Sequence, residues 1–294
     1  MDPERRTAGR AYAGLLVCTV LWASAFILAK VVLREMTPVV VAAWRYLLAG
    51  LILLPLAFRQ RPTRNPRKVL PTLVLMIVFG GVLYPWLFIE ALARTSSVNT
   101  SLLIALNPIF TLVFSPLVGE AFILRRLPGV ALALAGAVAV ITHGDLNHLA
   151  AFSLNTGDLL ALAAAGSWSV FNLSSRSVLI HLAPSVVNAI AFLAGGIVLW
   201  GLGVGDRPVA QLAAASTITL AGLVFLAVFS SVIGGQLFLH GVRTVGVNRT
   251  VVFIYLIPVV TAGLATMLLG EHFGPAQGWG GAAVLAGVYL TTRS

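Results

Sequence analysis

Hardly any stretch of this chain is polar for longer than a turn. Apolar runs occupy 11–33, 38–58, 69–93, 97–118, 127–143, 156–181, 184–204, 216–242, 247–270 and 274–292. A helix needs about 20 apolar residues to cross the hydrocarbon core of a bilayer. Runs of that length laid end to end leave no room for a separate soluble domain. Charged residues make up only 10% of the chain against 59% hydrophobic, and mean hydropathy is +0.99. Soluble domains carry about 25% charged residues, so most of this chain has lipid as its solvent. The expected fold class is an all-α membrane protein of ten transmembrane helices. The fifth and tenth runs are short and rich in Gly and Ala, and the longer hydrophilic stretches are Arg59 to Lys68 and Gly144 to Thr156. The first run is too long for a signal peptide and no cleavage pattern precedes it, so it is expected to remain as a helix.

Charge supplies an orientation. With the N-terminus placed in the cytoplasm, 14 of the 19 Lys and Arg fall in inside loops and ends, among them Arg5, Arg6, Arg10 and the Arg59 to Lys68 stretch. Lys30, Arg34, Arg94 and Arg207 fall outside, and Arg45 falls within a span. Basic residues favour cytoplasmic loops, so both termini are expected in the cytoplasm of a bacterial inner membrane. The net charge of +10 then reflects topology rather than nucleic-acid binding. The single cysteine, Cys18, lies in the first run, forms no internal disulfide and reads as a packing residue.

An internal duplication runs through the chain. Trp22, Lys30 and Pro38 share their spacing with Trp168, Arg176 and Pro184, 146 residues later. Arg94-Thr95-x-x-Val98-Asn99 matches Arg243-Thr244-x-x-Val247-Asn248 at 149, and Pro108 and Thr111 match Pro258 and Thr261 at 150. Gly119-Glu120 and Ala135-Gly136 match Gly270-Glu271 and Ala286-Gly287 at 151. The order is kept and the offset only rises. Two repeats are expected, 1–145 and 156–294, with five helices each. An odd number makes the second repeat enter from the opposite face. Inverted repeats of this kind are the architecture of secondary transporters, whose substrate sites lie near the midplane between the halves.

The same residues resemble a family. Leu21-Trp22-Ala23-Ser24-Ala25-Phe26 ending at Lys30, then Ala43-Trp44-Arg45-Tyr46, resembles the opening of an EamA domain. Leu106-Asn107-Pro108 with Gly119-Glu120, and Leu256-Ile257-Pro258 with Gly270-Glu271 and Leu285-Ala286-Gly287, resemble its end. The chain is similar to the drug/metabolite transporter superfamily, and within it to YddG-type amino-acid exporters. That resemblance implies a ten-helix fold and export of small metabolites, often amino acids. The pattern departs at Ala191, which stands where the first repeat has Arg45, and at Glu90, where a neutral residue is expected.

Candidate site residues follow from helix breaks and mid-run polar or aromatic side chains. Proline removes a backbone hydrogen bond and glycine loosens the chain, so both bend helices. Freed carbonyls in lipid must face a cavity or another protein group. Pro85, Pro108, Pro258 and the pair Gly234-Gly235 are therefore candidate hinges, with packing kinks as the alternative. Trp22 and Trp168 sit mid-run, away from the interfaces where membrane aromatics usually collect. With Tyr84, Trp86, Asn107, Asn172 and Tyr255 they form the candidate substrate-binding set, with Ser24 ranked lower. An arginine at a helix centre costs about 2.5–3.5 kcal/mol on insertion scales, so Arg45 needs a partner or a cavity. Glu90 is its candidate partner, and gating or structure its expected role. The candidate binding set carries no fixed charge, which predicts weak, broad selectivity.

Glu120 and Glu271 are expected to cap the helices that follow them, and Lys30 and Arg176 to meet helix-end carbonyls or headgroups. His143, His148, His181, His240 and His272 form no metal-binding spacing,. No phosphate-binding loop is present, so ATP-driven pumping by this chain alone is not expected. No cofactor is implied. The expected partners are a small-molecule substrate and membrane lipid; a monomer suffices, and homo-oligomers are compatible with that. The function read from the sequence is a secondary exporter of small neutral or zwitterionic metabolites, amino acids including aromatic ones. The alternatives are an exporter of cationic drugs or quaternary ammonium compounds and an intramembrane enzyme. The latter needs a convergent Ser–His pair, metal cluster or paired acids, which the dispersed acids and histidines do not supply.

Overall fold

The computed structural model describes residues 3–60, 65–118, 127–142, 144, 155–246, 250 and 253–293. Glu120, His143, His148, Arg61, Arg64, Arg125, Arg126 and Arg249 lie outside the described residues, as do the side chains of Arg5, Arg6, Arg176 and Arg293. Among the described residues there is no strand. The helices are α1 (Pro3–Val32), α2 (Pro38–Phe58), α3 (Leu70–Met76), α4 (Tyr84–Arg94), α5 (Ser97–Ile104), α6 (Asn107–Phe114) and α7 (Leu127–Ile141). They continue as α8 (Thr156–Val178), α9 (Pro184–Leu202), α10 (Pro208–Ala214), α11 (Thr217–Phe225), α12 (Gly235–Val245), α13 (Ile257–Leu269) and α14 (Pro275–Arg293). Six helical stretches are long and apolar enough to cross a membrane: Ala8–Val32, Pro38–Phe58, Arg67–Arg94, Ser97–Phe114, Pro184–Leu202 and Thr217–Val245. Leu127–Val140 and Ile257–Leu269 are shorter apolar helices. Their outward faces expose Phe58, Ile218, Met267, Leu268 and Trp279. Large apolar side chains in such number on an outer surface fit a lipid surround, and the chain is a multi-pass membrane protein.

The breaks in these helices come in pairs. A π-helical segment, Ile77–Leu83, joins α3 to α4, and a second, Leu226–Gly234, joins α11 to α12. Their starts are 149 residues apart, the offset read from the sequence around them. Pro85 stands at the first turn of α4, where a proline ring would press on the carbonyl four residues back. The wider π turn supplies the room, and carbonyls of both π segments accept from side chains of other helices. Ser167 donates to the Phe79 carbonyl at 2.7 Å, Trp22 Nε1 to the Ser230 carbonyl at 3.0 Å, and Cys18 Sγ to the Gly234 carbonyl at 3.3 Å. The second pair of breaks separates α5 from α6 at Ala105-Leu106, and falls at Tyr255-Leu256 before α13. Pro108 and Pro258 each open the helix after the break.

Two contacts set the packing. A Cβ built on Gly50 of α2 would meet Leu193 N of α9 at 2.7 Å, and one on Gly196 of α9 would meet Leu47 N of α2 at 2.6 Å. The positions rise along one helix as they fall along the other, so α2 and α9 run antiparallel with almost bare backbones touching. The second contact repeats this reciprocity. A Cβ on Gly136 of α7 would lie 2.5 Å from Gly280 O of α14, and one on Gly287 of α14 would lie 2.5 Å from Gly129 O of α7.

Polar side chains pin the ends. Gly270 (φ 65°) closes α13 in a left-handed turn that suits a residue without Cβ,. Glu271 then reaches away from its own helix. Its Oε1 accepts from Ser97 N at 3.0 Å and its Oε2 from Val98 N at 3.3 Å, capping α5. This corrects the expectation that it caps the following helix, where Gln277 Oε1 instead accepts from Gly274 N. Lys30 Nζ donates to the carbonyl of Thr95, the C-cap of α4, at 2.7 Å. Glu35 accepts from both the backbone and the hydroxyl of Ser216, and these bonds hold its carboxyl below its ordinary value.

Candidate functional site

A cavity lies among α1, α2, α4, α5, α6, α8, α9, α12, α13 and the two π segments, with about 50 Å³ of room for water-sized spheres. One water needs about 10–15 Å³ by this measure, so the space holds a few waters and must widen to take an amino acid. Part of its wall is an aromatic cluster. Trp168 stacks on Phe171 with centroids 4.7 Å apart, lies 4.6 Å from Tyr84 and meets Trp22 edge-on at 5.7 Å. Phe238 closes the group at 5.1 Å from Trp22. A Cβ on Gly234 would stand 2.5 Å from Trp22 Nε1. Glycine there lets the indole lie against the π segment and give its N–H to Ser230, so the mid-membrane donor is satisfied.

The polar part of the wall centres on a buried arginine. Arg45 is only 6% exposed. Its Nε donates to Ser231 Oγ at 2.8 Å and its Nη2 to Ser230 Oγ at 3.2 Å. The guanidinium carbon lies 5.6 Å from the ring centre of Tyr46 and 5.8 Å from that of Phe88. Among the described residues its Nη1 has no hydrogen-bond partner, and neither has Nδ2 of Asn188, which lines the same cavity. Among the described residues, no Asp or Glu lines it.

Six of the sequence-derived residues line this cavity: Trp22, Arg45, Tyr84, Asn107, Trp168 and Gly235. Others stand behind it. Asn172 Nδ2 donates to Asn107 Oδ1 at 3.1 Å, while Asn107 Nδ2 donates to Ser169 Oγ at 2.7 Å and to the Ala165 carbonyl at 3.1 Å. The two amides thus tie α6 to α8. Tyr255 is buried in a separate apolar cluster with Leu106 and Ile109, and Trp86 is partly buried against the main core without lining the cavity. Pro85, Pro108, Pro258 and Gly234 lie at the helix breaks without lining the cavity. Glu90 does not serve Arg45: its carboxylate accepts from Arg94, four residues on, at 2.8 Å. The expectation of a cavity without fixed charge also gives way, because Arg45 forms part of its wall.

Sequence reasoning passed over Phe171, Asn188, Ser230, Ser231 and Phe238. The legible signal was the Ser230-Ser231 pair, two hydroxyls together inside an otherwise apolar run, and the lone amide of Asn188 in α9.

The EamA-like transporter family matches the sequence twice, over residues 9–142 and again over 155–293. An uncharacterized transporter from Archaeoglobus fulgidus is 31% identical over 95% of this chain and 96% of its own. A probable amino-acid metabolite efflux pump from Salmonella typhimurium is 27% identical over 94% of this chain and 92% of its own. A probable terminal-alkyne amino-acid exporter from Streptantibioticus cattleyicolor is 28% identical over 97% and 94%. A solved crystal structure, 19% identical, superposes with a TM-score of 0.65 over 97% of both chains, a likeness of fold.

Proposed function

The chain belongs to the EamA-like transporter family, and from that premise we propose that it is a secondary exporter of small neutral or zwitterionic metabolites, chiefly amino acids including aromatic ones. The carrying observation is the cavity itself, walled by a cluster of aromatic rings beside a buried guanidinium and set between helices of both halves. Relatives named as amino-acid exporters support that substrate class. Aromatic walls alone would also suit quaternary ammonium compounds, but a buried guanidinium in the same wall repels them. The fold we propose has ten spans in two repeats, 1–145 and 156–294, inserted in opposite senses. The reciprocal antiparallel contacts of α2 with α9 and of α7 with α14 support it, since a two-fold axis lying across the helices produces such pairs. Alternating access then comes from the halves exchanging conformations about the cavity. The basic loops favour an inner membrane with both termini cytoplasmic.

The test is counterflow in proteoliposomes holding a panel of unlabelled amino acids, with labelled amino acid outside. Accumulation of label against vesicles without protein is expected. No accumulation for any member of the panel overturns the substrate class.

A further inference from the structure

We propose that Arg45 and Asn188 form a carboxylate subsite in the wall of the central cavity, so that the substrate class is one bearing a free carboxylate beside an apolar or aromatic body. This rests on the transport reading above and narrows it.

The argument starts from two donors that the protein leaves unanswered. Arg45 Nη1 and Asn188 Nδ2 are buried and have no hydrogen-bond partner among the described residues. Their residues are 6% and 2% exposed, and both line one cavity. A buried polar group without a partner is destabilising, and a buried charge without a counter-ion more so. Structures keep such groups where a ligand completes them. What completes these is narrowly defined. Both are donors, so the ligand supplies acceptors. One belongs to a guanidinium, a planar cation, and no carboxylate of the described cavity wall neutralises it. Water meets a donor but not the charge, whereas a carboxylate meets both and suits the planar face of arginine.

The rest of the arrangement looks made to hold that face still. Ser231 takes Nε and Ser230 takes Nη2. Ser231 in turn donates to the Leu226 carbonyl at 3.0 Å, a carbonyl of the π segment. Two of the donor positions on the guanidinium are thus spent on mooring it, and Nη1 is left over. The π segment that supplies the mooring also receives Trp22 through the Ser230 carbonyl, so the charged and aromatic walls share one support. A zwitterion with its carboxylate at Arg45 would direct its ammonium and side chain to the faces of Trp22, Trp168 and Tyr84, where cation–π attraction applies. Duplication did not produce the pair. The position in the second repeat equivalent to Arg45 is Ala191, and that in the first equivalent to Asn188 is Ala42. The donors therefore come one from each of two equivalent helices, α2 and α9.

The experiment compares acids with their amides. Binding to the purified protein is measured with phenylacetate and phenylacetamide, and counterflow with L-phenylalanine and L-phenylalaninamide. In the wild type the acid is expected to bind at least tenfold tighter than the amide. Asn188→Ala should weaken acid binding several-fold while the thermal stability of the unliganded protein stays the same or rises, because an unpartnered donor has been removed. Arg45→Gln should abolish the acid preference. Should that variant fail to fold, Ser231→Ala, which leaves the guanidinium but loosens it, is expected to reduce the preference. Equal binding of acid and amide by the wild type overturns the subsite, as does an Asn188→Ala variant that is destabilised yet binds the acid normally. Acid-selective binding without amino-acid counterflow would sink the amino-acid export reading and leave the subsite standing. Counterflow of amino acid and amide at equal rates would do the reverse.

Discussion

Tyr84 shows how a single side chain divides specificity from stability. Its ring lies 4.6 Å from Trp168 and 5.9 Å from Phe88, and it faces the cavity. Removing it takes away one aromatic wall without touching the guanidinium or its serines. Tyr84→Ala is expected to weaken L-tryptophan and L-phenylalanine about tenfold, and L-alanine by less than about threefold, since an aromatic pair adds about 0.5–1.5 kcal/mol beyond area. Ligand-induced thermal shifts on the purified variant measure both. Unchanged affinity for the aromatic amino acids would make the ring a packing residue. At this scale the sequence was legible where local chemistry decided. Trp22 and Trp168 stood out because indoles seldom sit mid-span. Arg45 stood out because its charge is costly there. Its partner was misread for the opposite reason: Glu90 had an answer in plain view at the helical spacing to Arg94. The partners Arg45 actually has, Ser230 and Ser231, are about 185 positions away, so the paired hydroxyls were visible in the sequence but their bond to Arg45 was not.

Among the elements, breaks marked by residue type were visible and the others were not. Pro108 and Pro258 betrayed the interruptions ahead of α6 and α13, because a proline can only begin a helix cleanly. The π segments have no residue that requires them. Pro85 and the Gly234-Gly235 pair indicated weakness nearby, but a kink, a bulge and a break all share those signals. The reciprocal glycines carry a sharper expectation. Gly50→Leu and Gly196→Leu each drive a side chain into the backbone of the facing helix, which cannot retreat as a flexible side chain could. Both should lower the thermal midpoint strongly and by similar amounts. Gly201→Ala, which meets nothing within 4 Å, should change it little. Scanning fluorimetry in detergent settles the comparison, and a large difference between the first two would argue against equivalent contacts.

For the whole molecule, orientation is the property that charge alone supplied. A cysteine at position 148, in a Cys18→Ala background, is expected to react with a membrane-impermeant maleimide added to intact spheroplasts. Reaction only after permeabilisation would invert the proposed topology. Cys18 itself is buried against the Gly234 carbonyl, so its removal is needed only to silence background. The duplication was readable from the ordered spacing of Trp, Pro and Gly-Glu. The same spacing set Arg45 opposite Ala191; what it could not reveal is that the guanidinium stands in the wall of the cavity. That mismatch between Arg45 and Ala191 has a kinetic consequence. A carrier with two identical halves would face each side of the membrane with equal ease and saturate identically from both. With the guanidinium in one half only, the inward-facing and outward-facing forms differ in energy when unloaded, so half-saturation should differ between the two faces. If no ion is coupled, detailed balance still requires the ratio of maximal rate to half-saturation constant to be the same in both directions. Measured zero-trans fluxes from the two faces should therefore differ in each constant and agree in their quotient, and a quotient that differs would reveal a second, coupled species.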